Sequence, residues 1–151
     1  MDRVLGRFSE VTYALFRVVA GLLFACHGAQ KLFGVLGGFQ GQPGATAPLQ
    51  SLAGAGGIIE FFGGLLIAVG LFAGPVAFLC SGEMAVAYFM MHAPQGFWPL
   101  LNRGELAVLY CFAFLHVATR GSGLWSVDAS FRRRGALGAL GALGNRAKAA
   151  L

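Results

Sequence analysis

Four long apolar segments constrain this chain more than any other feature of its sequence. They cover residues 11–33, 52–73, 75–92 and 104–119, and a helix needs roughly 20 residues to cross about 30 Å of hydrocarbon. Hydrophobic residues make up 57% of the chain and charged residues only 11%, whereas a soluble domain has about 25% charged residues. The sequence therefore predicts an all-α integral membrane protein, folded as a four-helix transmembrane bundle with antiparallel neighbours.

The positions of the basic residues predict the orientation of this bundle. Arg3 and Arg7 precede the first apolar segment. The basic residues that follow the last segment are Arg120, Arg132, Arg133, Arg134, Arg146 and Lys148. Because Lys and Arg concentrate on the cytoplasmic side, we expect cytoplasmic N and C termini in a multi-pass protein of the bacterial inner (plasma) membrane. The net charge of +5 then suits contact with an anionic lipid bilayer, and nucleic-acid binding is not expected.

The chain divides into a membrane domain, residues 1–128, and a basic C-terminal tail, residues 129–151. In the tail, three consecutive arginines precede a Gly-Ala-Leu repeat. A three-residue period drifts around a helix, so we expect the tail to be flexible or loosely associated with the membrane. Cys26, Cys80 and Cys111 all lie in predicted helices and form no C-x-x-C motif. Neither a disulfide framework nor a metal site is expected.

Charged residues inside the apolar region balance in number. Between Val11 and Thr119 the bases are Arg17, Lys31 and Arg103, and the acids are Glu60, Glu83 and Glu105. A charge at mid-bilayer costs roughly 2.5–3.5 kcal/mol even on the lenient insertion scale, so such residues face the bundle and meet partners there. We expect a neutral buried network, because low dielectric penalises unpaired charge.

Helix rise sorts the outer part of this network. Lys31 and Glu105 lie near the outer surface, with His27 and Glu60 somewhat deeper. An imidazole, an ammonium and carboxylates can donate hydrogen bonds to carbonyl oxygens and pass protons, which are the needs of a quinone head group. These four residues are the candidate catalytic set.

The remaining members of the network are assigned a ligand-binding or structural role. Arg17 and Glu83 share a depth nearer the cytoplasm and are predicted to form a buried ion pair. His92 and Asn102 belong to the outer end, with His92 predicted to lie where the third helix unwinds before Pro94.

Haem is an alternative ligand, because paired histidines on facing helices bind it in membrane bundles. His27 and His92 differ in depth, and His116 lies toward the other side, which disfavours haem. The sequence also contains no P-loop, dinucleotide fingerprint or Ser/His/Asp series.

Five motifs along residues 15–128 share the pattern of a known family. They are Arg17-x-x-x-Gly21-x-x-Phe24-x-x-His27-Gly28-x-x-Lys31-Leu32, Gly57-x-x-Glu60-x-x-Gly63-Gly64 with Gly70-Leu71, Glu83-Met84-x-x-Ala87-Tyr88 to His92-x-Pro94-x-Gly96-Phe97-Trp98-Pro99, Asn102-x-Gly104-Glu105, and Gly123-x-Trp125-Ser126-x-Asp128. Together they resemble the DoxX family of small four-helix membrane proteins. Arg103 stands where a glycine is common in that family.

This resemblance implies a four-helix bundle with a role in membrane redox chemistry. Some relatives resemble the small membrane subunit of a thiosulfate:quinone oxidoreductase, and others are tied to quinone or thiol stress. The implied function is a quinone-interacting subunit of a partner oxidoreductase with a sulfur or thiol donor side. His27 and Lys31 would bind a quinone oxygen, while Glu60 and Glu105 would tune or relay protons.

Several alternatives stay open at this point. No cofactor is expected to be bound covalently, and quinone would be a diffusible ligand. The redox partner could be soluble or membrane-bound, and a homo-oligomer is compatible with the sequence. The alternative function is a noncatalytic membrane scaffold or assembly factor, in which the charged network only fixes helix registry.

Overall fold

The computed structural model describes residues 2–134, and all regular secondary structure in that range is helical. The helices are α1 (Asp2–Gly6), α2 (Ser9–Phe33), α3 (Leu52–Val69), α4 (Ala73–Gln95), α5 (Glu105–Arg120) and α6 (residues 127–134). Helices α2, α3 and α4 are long and apolar enough to cross a membrane. Helix α5 has 16 residues, fewer than the roughly 20 that a full span needs. The described part of the chain is thus all-helical, and its several apolar helices are those of a membrane protein.

Glycine and serine set the ends of the long helices. Helix α2 ends at Gly34, which has a φ of 66° in the left-handed region. The Ser51 side chain caps α3 by accepting a first-turn backbone N–H at 3.1 Å. Helix α3 ends before Gly70, whose φ is 71°, so it is four residues shorter than predicted. The next helix, α4, begins at Ala73, two residues before its predicted start, because proline is tolerated in a first helical turn.

Two π-helical turns interrupt the regular helices. One covers Ile59–Gly63 within α3, and the other covers Tyr88–His92 within α4 and leads into a 3₁₀ turn, Ala93–Gln95. The predicted departure from α-helix before Pro94 is confirmed. Single π turns are rare and are frequent at functional sites, and these two contain Glu60 and His92.

Helices α2 and α3 pack backbone against backbone. A Cβ atom on Gly21 would lie 2.6 Å from the Gly64 carbonyl oxygen, and a Cβ on Gly64 would lie 2.5 Å from that of Gly21. Two turns further along α2, a Cβ on Gly28 would lie 2.3 Å from the backbone nitrogen of Phe61. Small residues allow this close approach in lipid. The contacts run in opposite directions along the two helices, which makes α2 and α3 antiparallel.

Helices α4 and α5 form a second antiparallel pair. The Ser81 hydroxyl donates to the Cys111 carbonyl oxygen at 2.8 Å, and Gly104 packs against the Tyr88 ring nearer the other end. The two pairs meet in a core where the Phe24 and Phe114 rings lie 4.6 Å apart. Helix α2 packs mainly on α3 and α5 mainly on α4, whereas the seam between α2 and α5 is more open.

The segment between α5 and α6 is bound to the turn between α3 and α4. The Asp128 carboxylate accepts hydrogen bonds from the Ser122 hydroxyl and from the backbone N–H groups of Phe72 and Ala73. The Ser122 hydrogen bond lowers the pKa of Asp128, and the two backbone donors and nearby Arg132 act in the same direction. Asp128 therefore caps the start of α4 from a distant part of the chain.

We predict that Asp128→Asn lowers the melting temperature in detergent at pH 7 and that the difference from wild type shrinks as the pH falls. A carboxylate with a lowered folded-state pKa stabilises the fold above its unfolded pKa of about 3.9 and loses that effect on acidification through the folded value. Melting curves from pH 7 to pH 3 measure the difference, with Glu105→Gln, an exposed carboxylate, as the control. A constant difference across this range would show that Asp128 does not act through its charge.

The C-terminal tail is described only at its start. Residues 127–134 are helical, and they include the first six residues of the segment expected to be flexible. The predicted flexible tail from residue 135 to residue 151 lies outside the described residues.

Candidate functional site

The candidate site lies between α2, α3 and α4 and is built around one ion pair. Lys31 Nζ donates to Glu60 Oε1 at 2.6 Å. The Glu60 side chain is 3% exposed and that of Lys31 is 25% exposed. Gly57 leaves room for the lysine, since a Cβ on Gly57 would lie 3.0 Å from Lys31 Cβ. A carboxylate this deeply buried depends on such a partner, because desolvation otherwise penalises its charge.

Glu83 of α4 is the third charged member of this site. A Cβ on Gly56 would lie 3.0 Å from Glu83 Oε1 and 3.9 Å from Lys31 Nζ, so the carboxylate and the ammonium flank one small space. Glu60 Oε2 and Glu83 Oε2 are both buried without a hydrogen-bond partner. Two carboxyl groups lie near one ammonium, so these three groups are neutral together only when one carboxyl carries a proton.

The predicted ion pair between Arg17 and Glu83 is wrong. Glu83 lies close enough to Glu60 and Lys31 to interact electrostatically with both, whereas Arg17 bonds to backbone carbonyls at the other end of α3. Helix rise placed Glu83 at the level of Arg17. Rise along a straight helix fixes only an approximate position along the bundle, and the packing places Glu83 near Lys31 and Glu60 instead.

His27 lies one turn before Lys31 on α2 and borders the same site. It is half-buried and close enough to Glu60 for an electrostatic interaction. Its ring stands edge-on to Tyr110 of α5, with centroids 6.1 Å apart. The structure thus brings His27, Lys31 and Glu60 together, and their catalytic role stays a prediction.

The other predicted residues lie outside this group. Glu105 is exposed in the first turn of α5 and makes no ion pair within residues 2–134. Asn102 is buried; its side chain donates to the Gly96 carbonyl oxygen at 2.5 Å and accepts from Gly104 N–H at 2.8 Å. His92 Nδ1 lies 3.0 Å from the Asn102 carbonyl oxygen. His92 and Asn102 therefore organise the loop between α4 and α5, and Glu105 is not placed beside Lys31 or Glu60.

Arg17 forms a second polar centre, at the opposite end of the same helices. Its side chain is fully buried, and it donates to the carbonyl oxygens of Ile67 at 2.5 Å, Ala68 at 2.6 Å and Trp125 at 3.0 Å. The first two carbonyls belong to the last turn of α3, where the helix dipole favours a cation. The Ile67 oxygen also accepts from Gly70 N–H at 3.1 Å, whereas the Ala68 oxygen is bonded by Arg17. Arg17 is thus a structural cap that joins α2, α3 and the segment after α5.

Two parts of these centres were not identified from the sequence. Tyr110, against which His27 stands, carries no signal that separates it from any other aromatic residue of an apolar helix. The segment that meets Arg17 did carry a signal, because Ser126 and Asp128 lie in the motif Gly123-x-Trp125-Ser126-x-Asp128. A Cβ on Gly70 would lie 2.4 Å from Ser126 Cβ and 2.9 Å from Arg17 Nη1, so this motif and Gly70 belong to one packed junction.

Comparison with known proteins adds to this geometry. A family model described as DoxX matches residues 12–93, more than half of the 151 residues. The chain belongs to the DoxX family. The matched region contains the residues of both polar centres that lie on helices, namely Arg17, His27, Lys31, Glu60 and Glu83.

One relative extends the similarity along most of the chain. A protein of Haemophilus influenzae (strain ATCC 51907 / DSM 11121 / KW20 / Rd), described as "Uncharacterized protein", is 36% identical over 134 residues. The alignment covers 86% of this chain and 98% of that relative. No solved structure matches the chain.

Proposed function

We propose that this DoxX-family protein is a membrane-embedded redox module that binds a quinone head group at His27, Lys31, Glu60 and Glu83. The observation that supports it is the pair of buried carboxyl oxygens, Glu60 Oε2 and Glu83 Oε2, that lack hydrogen-bond partners beside a partly exposed ammonium. Buried polar atoms without partners carry a free-energy cost and call for an explanation. A ligand that exchanges hydrogen bonds and protons with this group supplies one.

The proposed chemistry assigns a separate role to each side chain. Lys31 donates a hydrogen bond to a quinone carbonyl oxygen, and His27 lies one turn away to contact the same ring. Reduction of the quinone to the quinol takes up two electrons and two protons. The proton held between Glu60 and Glu83 is the first, and the second is taken up from the aqueous side past Lys31. The electrons come from a partner oxidoreductase with a sulfur or thiol donor, so quinone is a diffusible ligand here.

A noncatalytic scaffold is the second candidate, and one observation favours it. The Lys31–Glu60 bond joins α2 to α3 within the protein, and such a bond fixes helix registry without any ligand. In that function Glu83 would be a structural neighbour of the pair, and no quinone would bind.

Quinone binding separates these two functions. We expect Lys31→Met/Glu60→Gln to fold, because it removes both charges of the pair, and to bind quinone roughly 10–100-fold more weakly, as expected for loss of one charge-assisted hydrogen bond. His27→Met should also weaken binding. Binding of a short-chain quinone to protein in nanodiscs measures this, with melting temperature as the check on folding.

The control for this experiment is Arg103→Met, which removes an exposed charge in the loop before α5. It should bind quinone as the wild type does. If His27→Met and the double variant both bind quinone as the wild type does, the proposed quinone site is wrong and the scaffold function is favoured.

We also propose the topology of a four-helix transmembrane bundle in the bacterial inner membrane, with α5 as a short fourth span and both termini cytoplasmic. The distribution of Lys and Arg supports this orientation. Single cysteines at two exposed positions, Thr46→Cys and Ser130→Cys, in a background lacking Cys26, Cys80 and Cys111, test it. An impermeant maleimide should label Thr46→Cys in intact cells and Ser130→Cys only after permeabilisation, and the reverse pattern would mean the opposite orientation.

A further inference from the structure

The geometry points to a binding site for a phospholipid with an anionic headgroup in the seam between α2 and α5. One acyl chain lies along the seam, and the phosphate lies at Arg120 and His116. This site is separate from the proposed quinone site, which lies between α2, α3 and α4.

The seam contains two cavities that join into one groove. The first cavity has a volume of about 240 Å³, and Tyr110 is the one polar side chain in its lining. The apolar side chains that line it are Val19, Ala20 and Leu23 of α2 and Leu106, Leu109 and Ala113 of α5. The second, of about 660 Å³, lies toward the N-terminal end of α2. Phe16 lines both cavities. The two cavities therefore lie next to each other along the seam, and together they extend from the start of α2 to the start of α5.

The length of this groove matches one leaflet of a bilayer. From Thr12 to Leu23 the rise along α2 is roughly 16 Å at 1.5 Å per residue, and half of the hydrocarbon core is about 15 Å. An extended acyl chain that enters at the Thr12 end therefore reaches Leu23 near the mid-plane. Leu22 of α2 is also exposed but lines neither of these two cavities.

Positive charge is concentrated at one end of the groove only. Arg120 and His116 line the wider cavity, and Arg7 lies over the ring of Phe8, which lines the same cavity, at 4.9 Å. Arg120 lies over the Tyr13 ring at 4.2 Å and bonds to Glu10 through Nη2. The guanidinium has five N–H donors and binds phosphate in a bidentate manner. One acid against two arginines leaves this end cationic, which is complementary to a phosphate and selects an anionic lipid over a zwitterionic one.

The other end of the groove reaches Tyr110, whose ring also stands against His27. The isoprenoid tail of a quinone is thus the rival occupant of the same groove. Binding of a quinone tail would require the groove walls but not Arg120, whereas binding of an anionic lipid would require both. Substitution of Arg120 therefore distinguishes the two occupants.

Native mass spectrometry of the full-length protein, released from nanodiscs of equal phosphatidylglycerol and phosphatidylcholine, tests this inference. Wild type should retain one phosphatidylglycerol in preference to phosphatidylcholine. Arg120→Gln should reduce that retention roughly ten-fold, as expected for loss of a charge-assisted hydrogen bond. Ala113→Leu should reduce retention of both lipids by filling the groove. Should Ala113→Leu not fold, Leu23→Phe fills the groove from the opposite wall, where Leu23 is 54% exposed.

Two matched controls define the outcome. Arg103→Gln removes an exposed arginine away from the groove, and Leu22→Phe enlarges a side chain on a different face of α2; both should retain lipid as the wild type does. His27→Met should leave lipid retention unchanged even if it abolishes quinone binding. A wrong assignment of the quinone site and a wrong assignment of the lipid site would therefore give different results. Equal losses in Arg120→Gln and Arg103→Gln, or a groove filled by added quinone in place of lipid, would overturn the inference.

Discussion

Arg17→Met is expected to destabilise the protein by roughly 2–6 kcal/mol, because the Ala68 and Trp125 carbonyl oxygens would lose their donor and each buried carbonyl left without one costs about 1–3 kcal/mol. The guanidinium donates to Ile67, Ala68 and Trp125 from a fully buried position. Methionine fills similar volume and supplies no donor, so the last turn of α3 would lose its cap and the segment after α5 would lose its attachment. The melting temperature in detergent measures the effect.

Two further variants separate capping from charge alone. Arg17→Lys keeps the positive charge but has a single nitrogen to reach two separate groups of carbonyls, so its loss should be intermediate. Arg103→Met, at an exposed loop position, should be nearly neutral. A melting temperature for Arg17→Met within a degree of wild type would mean that Arg17 is not a cap.

A double-mutant cycle of Arg17→Met with Glu83→Leu tests whether Arg17 and Glu83 interact. Because Arg17 bonds to carbonyls and Glu83 lies with Lys31 and Glu60, the two losses should add within about 0.5 kcal/mol. A large coupling energy would restore the ion pair that helix rise suggested.

Gly28→Val is expected to cost several kcal/mol and to disrupt the candidate site at the same time. A Cβ on Gly28 would lie 2.3 Å from Phe61 N, 2.6 Å from Phe61 Cα and 2.7 Å from the Gly57 carbonyl oxygen. All three are backbone atoms, so no side chain can rotate away, and overpacking of this kind forces helices apart at a cost of about 1–3 kcal/mol or more. Lys31 follows Gly28 by one turn, so a wider gap between α2 and α3 also separates Lys31 from Glu60.

Gly82→Ala is the matched control for this substitution. Gly82 lies inside α4, and an added Cβ there meets nothing within 4 Å. Since alanine favours a helix by about 1 kcal/mol over glycine, this variant should be neutral or slightly more stable. Thermal unfolding of both variants in the same detergent measures the difference, and equal melting temperatures would show that α2 and α3 do not require contact at Gly28.

The sequence alone determined the class of fold and the positions of its long helices. Apolar length, with glycine or serine at the ends, predicted all four long helices, and their observed bounds differ from the predicted ones by a few residues at most. The physical reason is local: backbone groups in lipid must bond within their own helix, so hydropathy and helix-breaking residues suffice to locate each segment.

The pairing of charged groups depended on tertiary structure. The rise along a helix gives the depth of a residue, and depth was sufficient to predict that His27, Lys31 and Glu60 lie at a similar level. Which side chains meet also depends on rotation about each axis and on helix register. The π turns at Ile59–Gly63 and Tyr88–His92 change that rotation, and only the departure from α-helix before Pro94 was predicted from the sequence.

Arg17 and Glu83 show this division most clearly. The sequence indicated correctly that each must have polar surroundings, because a charge in an apolar helix demands them. Only the packed structure decided that Arg17 meets carbonyls of α3 and of the segment after α5, and that Glu83 meets Lys31 and Glu60. Backbone carbonyls occur at every residue and leave no mark in the sequence, so an arginine that binds them cannot be told in advance from one that binds a carboxylate.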